Sequence, residues 1–245
     1  MGPYECRFDT IGGAVDLAQD HGLDYISVLN TDVSLHLNSH RVDLQSLEVA
    51  PGGSDIASLA LDGGVFAPYE VSIAAQSGAV GLLTVGSGTE LGPEGSTWAV
   101  RVGSGGSGVL TVAVGGVVET QFLAVATARG VAAEDGFVEV AGGVMNAGYL
   151  HVGYDPDLGV PGGIGRIRVD QGGTLTAEEV TLAPHPGVAA TLTVTGAGSQ
   201  FVGAFGTPIL RLGNEPTKGT SYFLSRKLSC GKDLWLPLRA MCAKK

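Results

Sequence analysis

The stretch RVGSGGSGVLTVAVGG, residues 101–116, decides the fold of this chain. Its glycines at 103, 105 and 108 match the G-x-G-x-x-G spacing of loops that bind dinucleotide phosphates. Such a loop requires a helix directly after the last glycine, because the phosphate binds the free N–H groups at the helix N-terminus. The residues that follow, VLTVAV at 109–114, are instead typical of a β-strand. The stretch therefore predicts a turn between strands of a repeated structure, not a nucleotide site.

An apolar–polar–apolar triplet that ends in valine recurs along the chain at a nearly constant spacing. These first triplets are Leu83-Thr84-Val85, Leu110-Thr111-Val112, Val138-Glu139-Val140, Ile167-Arg168-Val169 and Leu192-Thr193-Val194. A second triplet follows each of them roughly half a repeat later: Val100-Arg101-Val102, Leu123-Ala124-Val125, Leu150-His151-Val152, Val180-Thr181-Leu182 and Leu210-Arg211-Leu212. A less regular sixth copy pairs Leu47-Glu48-Val49, as first triplet, with Leu59-Ala60-Leu61 as second.

The period of these triplets lies in the twenties, which is typical of a solenoid. Within each triplet the apolar residues alternate with polar ones, so that one side chain faces a core and the next faces solvent. Strands this short are stable only when identical rungs stack and bury their aliphatic side chains on one another. A leucine-rich repeat would need an asparagine ladder and a propeller blade about 40 residues. The sequence therefore predicts an all-β fold, a single-stranded parallel β-helix over residues 25–213, with glycines at its corners.

Residues 1–24 are predicted to form a capping segment with a short helix over residues 9–20. Asp9 or Thr10 would cap this helix, Gly22 would end it, and a strand would follow at residues 25–28. The apolar face of the helix would consist of Ile11, Ala14, Val15 and Ala18. A β-helix exposes an edge and an open core at its end, so the helix would serve as a lid.

Charge and composition exclude several classes of function. Forty glycines in 245 residues without a G-X-Y period exclude collagen, and the aliphatic content excludes a disordered polar chain. The net charge of −10 argues against binding to nucleic acid or to an anionic membrane surface. No apolar run reaches the length of a membrane span, so direct membrane insertion is not expected. The start of the chain, MGPYECRFDT, also lacks the basic-then-apolar pattern of a signal peptide.

The segment 214–245 differs from the rest of the chain. Residues 1–213 contain seven arginines, no lysine and 22 carboxylates, whereas residues 214–245 contain five lysines, two arginines and two carboxylates. Three explanations stay open for this basic tail: a cap over the last rung, a segment that binds a partner, or an artefact of reading frame or sequence assembly. The cysteines, Cys6, Cys230 and Cys242, lie near the chain ends and predict neither a disulfide framework nor a metal site in the repeats.

The repeats resemble those of bacterial autotransporter passengers and of surface proteins that carry a PEP-CTERM sorting signal. The resemblance rests on TLTVTGAGS at 191–199 and VRVGSGGSGVLTV at 100–112, and it covers roughly residues 79–213. The segment proposed as the opening helix is similar to the lid of pectinase-like right-handed β-helices. These resemblances imply a right-handed β-helix that serves as an exported surface or adhesive stalk. Ala126 and Ala183 depart from the repeat, since they stand where it has a glycine.

Residues for chemistry are expected at positions that face outward, because β-helices also carry polysaccharide lyases and glycosidases. Asp155 and Asp157 could bind calcium, although Asp and Pro at such positions more often form a tight turn. Arg166, Arg168 and Asp170 form a polar stripe that is better explained by ion pairs on a strand than by a substrate clamp. The remaining candidates are assigned to ordinary surface positions or, for Trp98, to a place on or in a rung: His36, His40, His151, His185, Trp98, Glu178 and Glu179.

The sequence thus predicts a non-catalytic module at the cell surface, without a catalytic residue, cofactor or metal. Its expected partner is a surface polysaccharide or another cell-surface polymer. Two alternatives remain: a polysaccharide-active enzyme on the same scaffold, or a fragment of a giant surface protein. An enzyme would gather outward acidic and basic residues from several rungs at one cleft, and Asp155, Asp157, Arg166 and Arg168 would be among them.

Overall fold

A computed structural model describes residues 5–8, 13–127, 135–155, 160–184, 188–203, 209–212 and 220–225. In these ranges the chain forms strands that alternate between two sheets. The large sheet contains β1 (Glu5–Phe8), β3 (His21–Val28), β5 (Arg41–Val49), β7 (Gly64–Ile73), β9 (Thr89–Leu91), β10 (Ala99–Val102), β12 (Val117–Val125), β14 (Val144–Val152), β18 (Thr174–Leu182), β20 (Gln200–Gly203) and β21 (Ile209–Leu212). The small sheet contains β2 (Gly13–Asp16), β4 (Asp32–His36), β6 (Ile56–Asp62), β8 (Val80–Val85), β11 (Ser107–Val112), β13 (Asp135–Ala141), β17 (Ile164–Asp170), β19 (Ala189–Val194) and β22 (Thr220–Ser225).

Every described pairing within these two sheets is parallel, and each strand pairs with the strand one turn of chain earlier or later. One small-sheet strand and the large-sheet segment after it make one rung. The protein is therefore a parallel β-solenoid, which confirms the predicted fold class. Two further elements interrupt the rungs: an antiparallel pair, β15 (Tyr154–Asp155) with β16 (Val160–Pro161), and a 3-10 turn at Pro93–Gly95. No helix in the described ranges is long and apolar enough to cross a membrane.

The predicted triplets stack in register. In the small sheet Leu110 pairs with Leu83 on one side and with Val138 on the other. In the large sheet Leu123 pairs in the same way with Val100 and Leu150. These aliphatic residues are fully buried and form one continuous core along the stack. Burial of each contributes about 1.5–3 kcal/mol before the entropy of ordering is subtracted.

The predicted order of the two triplets in the sixth copy is wrong. Leu47 pairs with Val71 and belongs to the large sheet, where the second triplets lie. Leu59 pairs with Leu83 and belongs to the small sheet, where the first triplets lie. Both triplets have the same apolar–polar–apolar pattern, so only the register shows which sheet each one joins.

The predicted N-terminal helix is wrong where the structure describes the segment. Residues 9–12 lie outside the described ranges, but Gly13–Asp16 is strand β2, and its Val15 pairs with Leu35 of β4. The next strand begins at His21, earlier than predicted. A helix cannot complete the hydrogen bonds of an open parallel edge, whereas a further strand satisfies those of β4. Strands of the sheets thus begin before residue 25. At the other end, β22 pairs with β19 and extends the small sheet beyond residue 213.

The turns that follow β5, β7, β10, β12, β14 and β18 each have a left-handed residue at their first position. Ala74 follows β7 with φ of 55°, and Gly103 follows β10 with φ of 71°. Gly103 therefore begins the corner between β10 and β11, as the sequence predicted for residues 103–108. Ala50, Ala126, Gly153 and Ala183 occupy the corresponding position after other large-sheet strands, all with positive φ. The departures from glycine at Ala126 and Ala183 are thus tolerated, because alanine adopts this conformation at a cost of about 1–2 kcal/mol.

Replacing Ala74 tests this corner. Ala74→Val should destabilise the protein by about 3 kcal/mol, because a β-branched residue resists positive φ and the site is fully buried. Ala74→Gly should keep or raise stability, since glycine adopts positive φ without strain. Ala60→Val, on the outer side of β6, is the matched control and should change the free energy of unfolding by less than about 0.5 kcal/mol. Urea unfolding followed by circular dichroism measures the stability of all three variants. Equal losses for Ala74→Val and Ala60→Val would contradict a buried left-handed corner at Ala74.

Candidate functional site

The strands of the large sheet bend near their middle. In β12 the alternation of buried and exposed residues breaks at Gln121 and Phe122, which both face outward. In β14 it breaks at Gly148 and Tyr149. The ladder skips one residue at each of these points, so the bend lies at the same place in neighbouring rungs. Along the bend the skipped residues form a column: Asp24, Gln45, Tyr69, Gln121, Gly148 and Glu178.

Two shallow depressions lie beside this column, and together we call them the bend groove. Its first segment has a volume of about 430 Å³ and is lined by Gly22, Leu23, Asp24, Asp43, Leu44, Gln45, Ala67, Tyr69 and Ser96. Its second segment has a volume of about 230 Å³ and is lined by Gly95, Glu119, Thr120, Gln121, Asn146, Ala147, Gly148, Thr176 and Glu178. The turn at Pro93–Gly95 separates the two, because Ser96 borders the first segment and Gly95 the second.

The sequence explains why the groove is open at these places. Gly22 and Ala67 stand on either side of Asp43 in the ladder and offer almost no side-chain volume. In the second segment Gly148 leaves room for the side chain of Gln121, whose amide nitrogen would lie 2.5 Å from a Cβ at position 148. Small residues at the bend therefore create the concave surface.

The polar side chains of the groove are held by hydrogen bonds. Asp43 pairs with Arg41, with 2.8 Å between Nη2 and Oδ1. Glu119 accepts hydrogen bonds from the backbone N–H of Glu94 at 3.1 Å and from the amide of Asn146 at 3.3 Å. Glu119 thereby connects the Pro93–Gly95 turn to β12 and β14. Arg41 also donates its backbone N–H to Asp20, which lowers the pKa of that carboxyl from its ordinary value.

Aromatic rings form a ridge along one side of the groove. Tyr69, Trp98, Phe122 and Tyr149 lie on successive rungs, since the Trp98 N–H donates to the Tyr69 carbonyl and the Phe122 N–H to that of Trp98, each at 2.8 Å. The rings of Phe122 and Tyr149 stack with centroids 4.8 Å apart and an angle of 15°. Trp98 meets Phe122 at 4.9 Å and 59°. Phe122 and Tyr149 are half-buried, because each ring covers one face of the other. Tyr69 and Trp98 are more exposed, at 49% and 40%.

An aromatic surface beside carboxylates and amides has the chemistry needed to hold a carbohydrate chain. Exposed rings pack against the apolar C–H face of a sugar, and the polar groups exchange hydrogen bonds with its hydroxyls. The rungs repeat every ~4.8 Å, so equivalent positions recur along the groove at a spacing close to the size of one sugar residue.

Comparison with models of known protein families, with curated proteins and with solved structures finds no match to this chain.

The candidates singled out from the sequence do not meet at one cleft in the described part of the chain. Arg168 pairs with Glu139 across rungs at 3.9 Å and with Asp170 on its own strand at 2.7 Å. These are the ion pairs predicted for the stripe, and they lie on the small sheet, away from the bend groove. The side chain of Asp155 and the whole of Asp157 lie outside the described residues, and so does His185. No group of three His, Cys, Asp or Glu side chains able to hold a metal occurs within the described ranges.

The other single residues divide between confirmed and corrected assignments. Trp98 lies on the outside of its rung, which is one of the two places predicted for it. His36 lies 3.8 Å from Asp62 and His40 lies 3.3 Å from Asp20, both in partly exposed positions. His151, expected at the surface, is instead buried, because its ring packs beside Tyr149 and against Tyr154 of the β15–β16 pair. Glu178 and Glu179 lie inside β18, at the bend, rather than before a strand.

The sequence pattern does not predict the bend groove. Tyr69, Trp98, Phe122 and Tyr149 recur along the chain at intervals close to the repeat period. That spacing was the available signal. The bend, however, shifts the outward positions by one residue, so the triplets alone do not predict which side chains line up.

Proposed function

We propose that this chain is a non-catalytic, exported bacterial surface module, a structural or adhesive stalk that holds a neutral surface polysaccharide in the bend groove. The observation that carries the proposal is the exposed pair Tyr69 and Trp98 beside a polar groove. Exposed apolar side chains that lie together and are bordered by polar groups are typical of ligand-binding surfaces, whereas single exposed side chains are not. The resemblance of the repeats to autotransporter passengers and PEP-CTERM surface proteins supports placement at the cell surface.

Charge favours a neutral polymer over an anionic one. The groove carries the carboxylates of Asp24, Asp43, Glu119 and Glu178, and the chain as a whole has a net charge of −10. Like charges along an acidic polysaccharide would raise the free energy of binding. Hydroxyl groups, by contrast, are good donors to carboxylate and amide oxygens.

Electrophoresis through native gels that contain a soluble polymer tests this function. We expect hydroxyethyl cellulose or glucomannan to retard the protein and polygalacturonate to leave its mobility unchanged. Trp98→Ala should weaken the retardation up to about tenfold in apparent affinity, because stacking contributes about 0.5–1.5 kcal/mol beyond area burial. Val114→Ala, which changes an apolar side chain that is 63% exposed outside the groove, is the control and should bind as the parent does.

Three results would contradict the proposal: no retardation by either neutral polymer, equal retardation by polygalacturonate, or equal binding of the Trp98→Ala and parent proteins. Shortening of the polymer during incubation would instead support the alternative, a polysaccharide-active enzyme on this scaffold.

A further inference from the structure

A second surface of the solenoid has unusual exposed apolar side chains. On the outer side of the small sheet Ile56 is 68% exposed, Val80 is 45% exposed and Leu82 is 37% exposed. Val109 and Phe137 extend this surface as half-buried neighbours. Ile56 pairs with Val80, and Leu82, Val109 and Phe137 follow one another in register over three rungs. We call these five residues the apolar patch.

The apolar patch lies between charges of opposite sign. The column that contains Leu82, Val109 and Phe137 begins at Asp32, two rungs before Leu82, with Ser58 between them. The rung after Phe137 contributes Arg166, with Arg168 beside it on the same strand face, and the column then continues with Thr191. From Asp32 to Arg166 the column therefore reads acidic, polar, three apolar residues and basic.

We propose that the apolar patch binds a second copy of this chain in antiparallel orientation. A two-fold axis between the rungs of Leu82 and Val109 would place these two residues opposite each other across the interface. Ser58 would then face Phe137, and Asp32 would face Arg166 of the other copy. A two-fold contact uses the same surface twice, so it requires this kind of self-complementary pattern. A parallel arrangement would place like charges against each other and is disfavoured.

The neighbouring column allows the two sheets to approach. At the three rungs from β6 to β11 it consists of the small residues Ala60, Thr84 and Thr111, and at the rung of Phe137 it has Glu139, which pairs with Arg168. Sheets that pack face to face lie about 10 Å apart, a distance that longer side chains would prevent. The matched surfaces of the two copies could then exclude water at their centre.

The size of the surface predicts a weak dimer. The six rungs from Asp32 to Arg166 span about 24 Å along the stack, and their strands span about 20 Å across it. The contact surface is therefore roughly 480 Å² on each copy. Stable interfaces commonly bury about 800 Å² on each partner, so this contact belongs to the weak or transient class. We therefore expect the dimer to form at high protein concentration and to dissociate on dilution.

Sedimentation velocity over a range of concentrations tests the dimer with the full chain. The parent should show a monomer–dimer equilibrium, and Leu82→Lys should weaken the association at least about tenfold, because it buries a charge in the apolar centre. Val114→Lys places the same charge on an exposed apolar residue outside the small-sheet strands and should associate as the parent does. A monomer at all concentrations, or equal association of Leu82→Lys and the parent, would overturn the proposal.

Charge reversal tests the orientation. Asp32→Arg alone and Arg166→Asp alone should each weaken the dimer, whereas the double variant should restore it. Asp32 also accepts a hydrogen bond from Ser58 within the monomer, so the thermal midpoint of each dilute variant is measured to confirm that it folds. A folded double variant that associates no better than the single variants would overturn the antiparallel arrangement.

Discussion

Replacement of Gly136 by alanine should lower the free energy of unfolding by about 3 kcal/mol, at the upper end of what one added methyl group costs in a packed core. A Cβ at Gly136 would lie 2.4 Å from the backbone nitrogen of Ala126 and 2.6 Å from the carbonyl oxygen of Val102. Neither is the end of a flexible side chain, so relief requires movement of the corner. Urea unfolding followed by circular dichroism measures the loss.

Gly22→Ala is the matched control, since a Cβ there would have no atom within 4 Å. It should leave stability unchanged or raise it by about 0.4–1 kcal/mol, because alanine restricts the unfolded chain. Equal effects of the two substitutions would show that the corner does not pack against the small sheet as described.

The physical basis is a column of small residues on the inner side of the small sheet. Gly81, Gly108, Gly136 and Gly165 pair in register on successive rungs. Each stands where the turn after a large-sheet strand closes on the small sheet, and a Cβ at Gly108 would lie 2.3 Å from the nitrogen of Gly103. Because these residues have no side chains, the turn after each large-sheet strand can pack directly against the small sheet.

The second large effect is expected from Leu83→Ala. Leu83 is fully buried between Leu59 and Leu110 in the small-sheet core, so its truncation should cost about 2–5 kcal/mol. The adjacent Leu82 undergoes the same chemical change but faces outward, and Leu82→Ala should cost less than about 1 kcal/mol in dilute protein. Differential scanning calorimetry of both variants compares them directly. Similar losses for the two leucines would contradict the predicted alternation of inward and outward residues.

Much of the fold could be predicted because the repeat encodes it locally. Triplets such as Leu110-Thr111-Val112 alternate with period two and recur at one spacing, so stacking is the arrangement that buries them all. The corner at Gly103 was also predictable from local sequence, since its glycines directly precede a β-branched run. What failed depended on contacts distant in sequence.

The region around Val15 shows this dependence. Ile11, Ala14, Val15 and Ala18 fit a helical period, yet Val15 pairs with Leu35 in a strand. The free edge of β4 supplies hydrogen-bond partners that a local pattern cannot reveal, and Gly12 and Gly13 already disfavour a helix. The bend groove was hidden in a similar way, because Tyr69 and Trp98 come together only through the register of two rungs.

Distances between spin labels on the outer side of the small sheet test the solenoid most directly. Ala14, Ser34, Ala60 and Thr193 lie in one column, and Thr193 is seven, six and five rungs from the first three. With the native cysteines replaced by serine and labels attached through cysteines introduced in pairs, double electron–electron resonance should give about 34, 29 and 24 Å. A regular step of about 4.8 Å per rung is the predicted result. Three distances that do not increase stepwise would contradict a stack of parallel rungs.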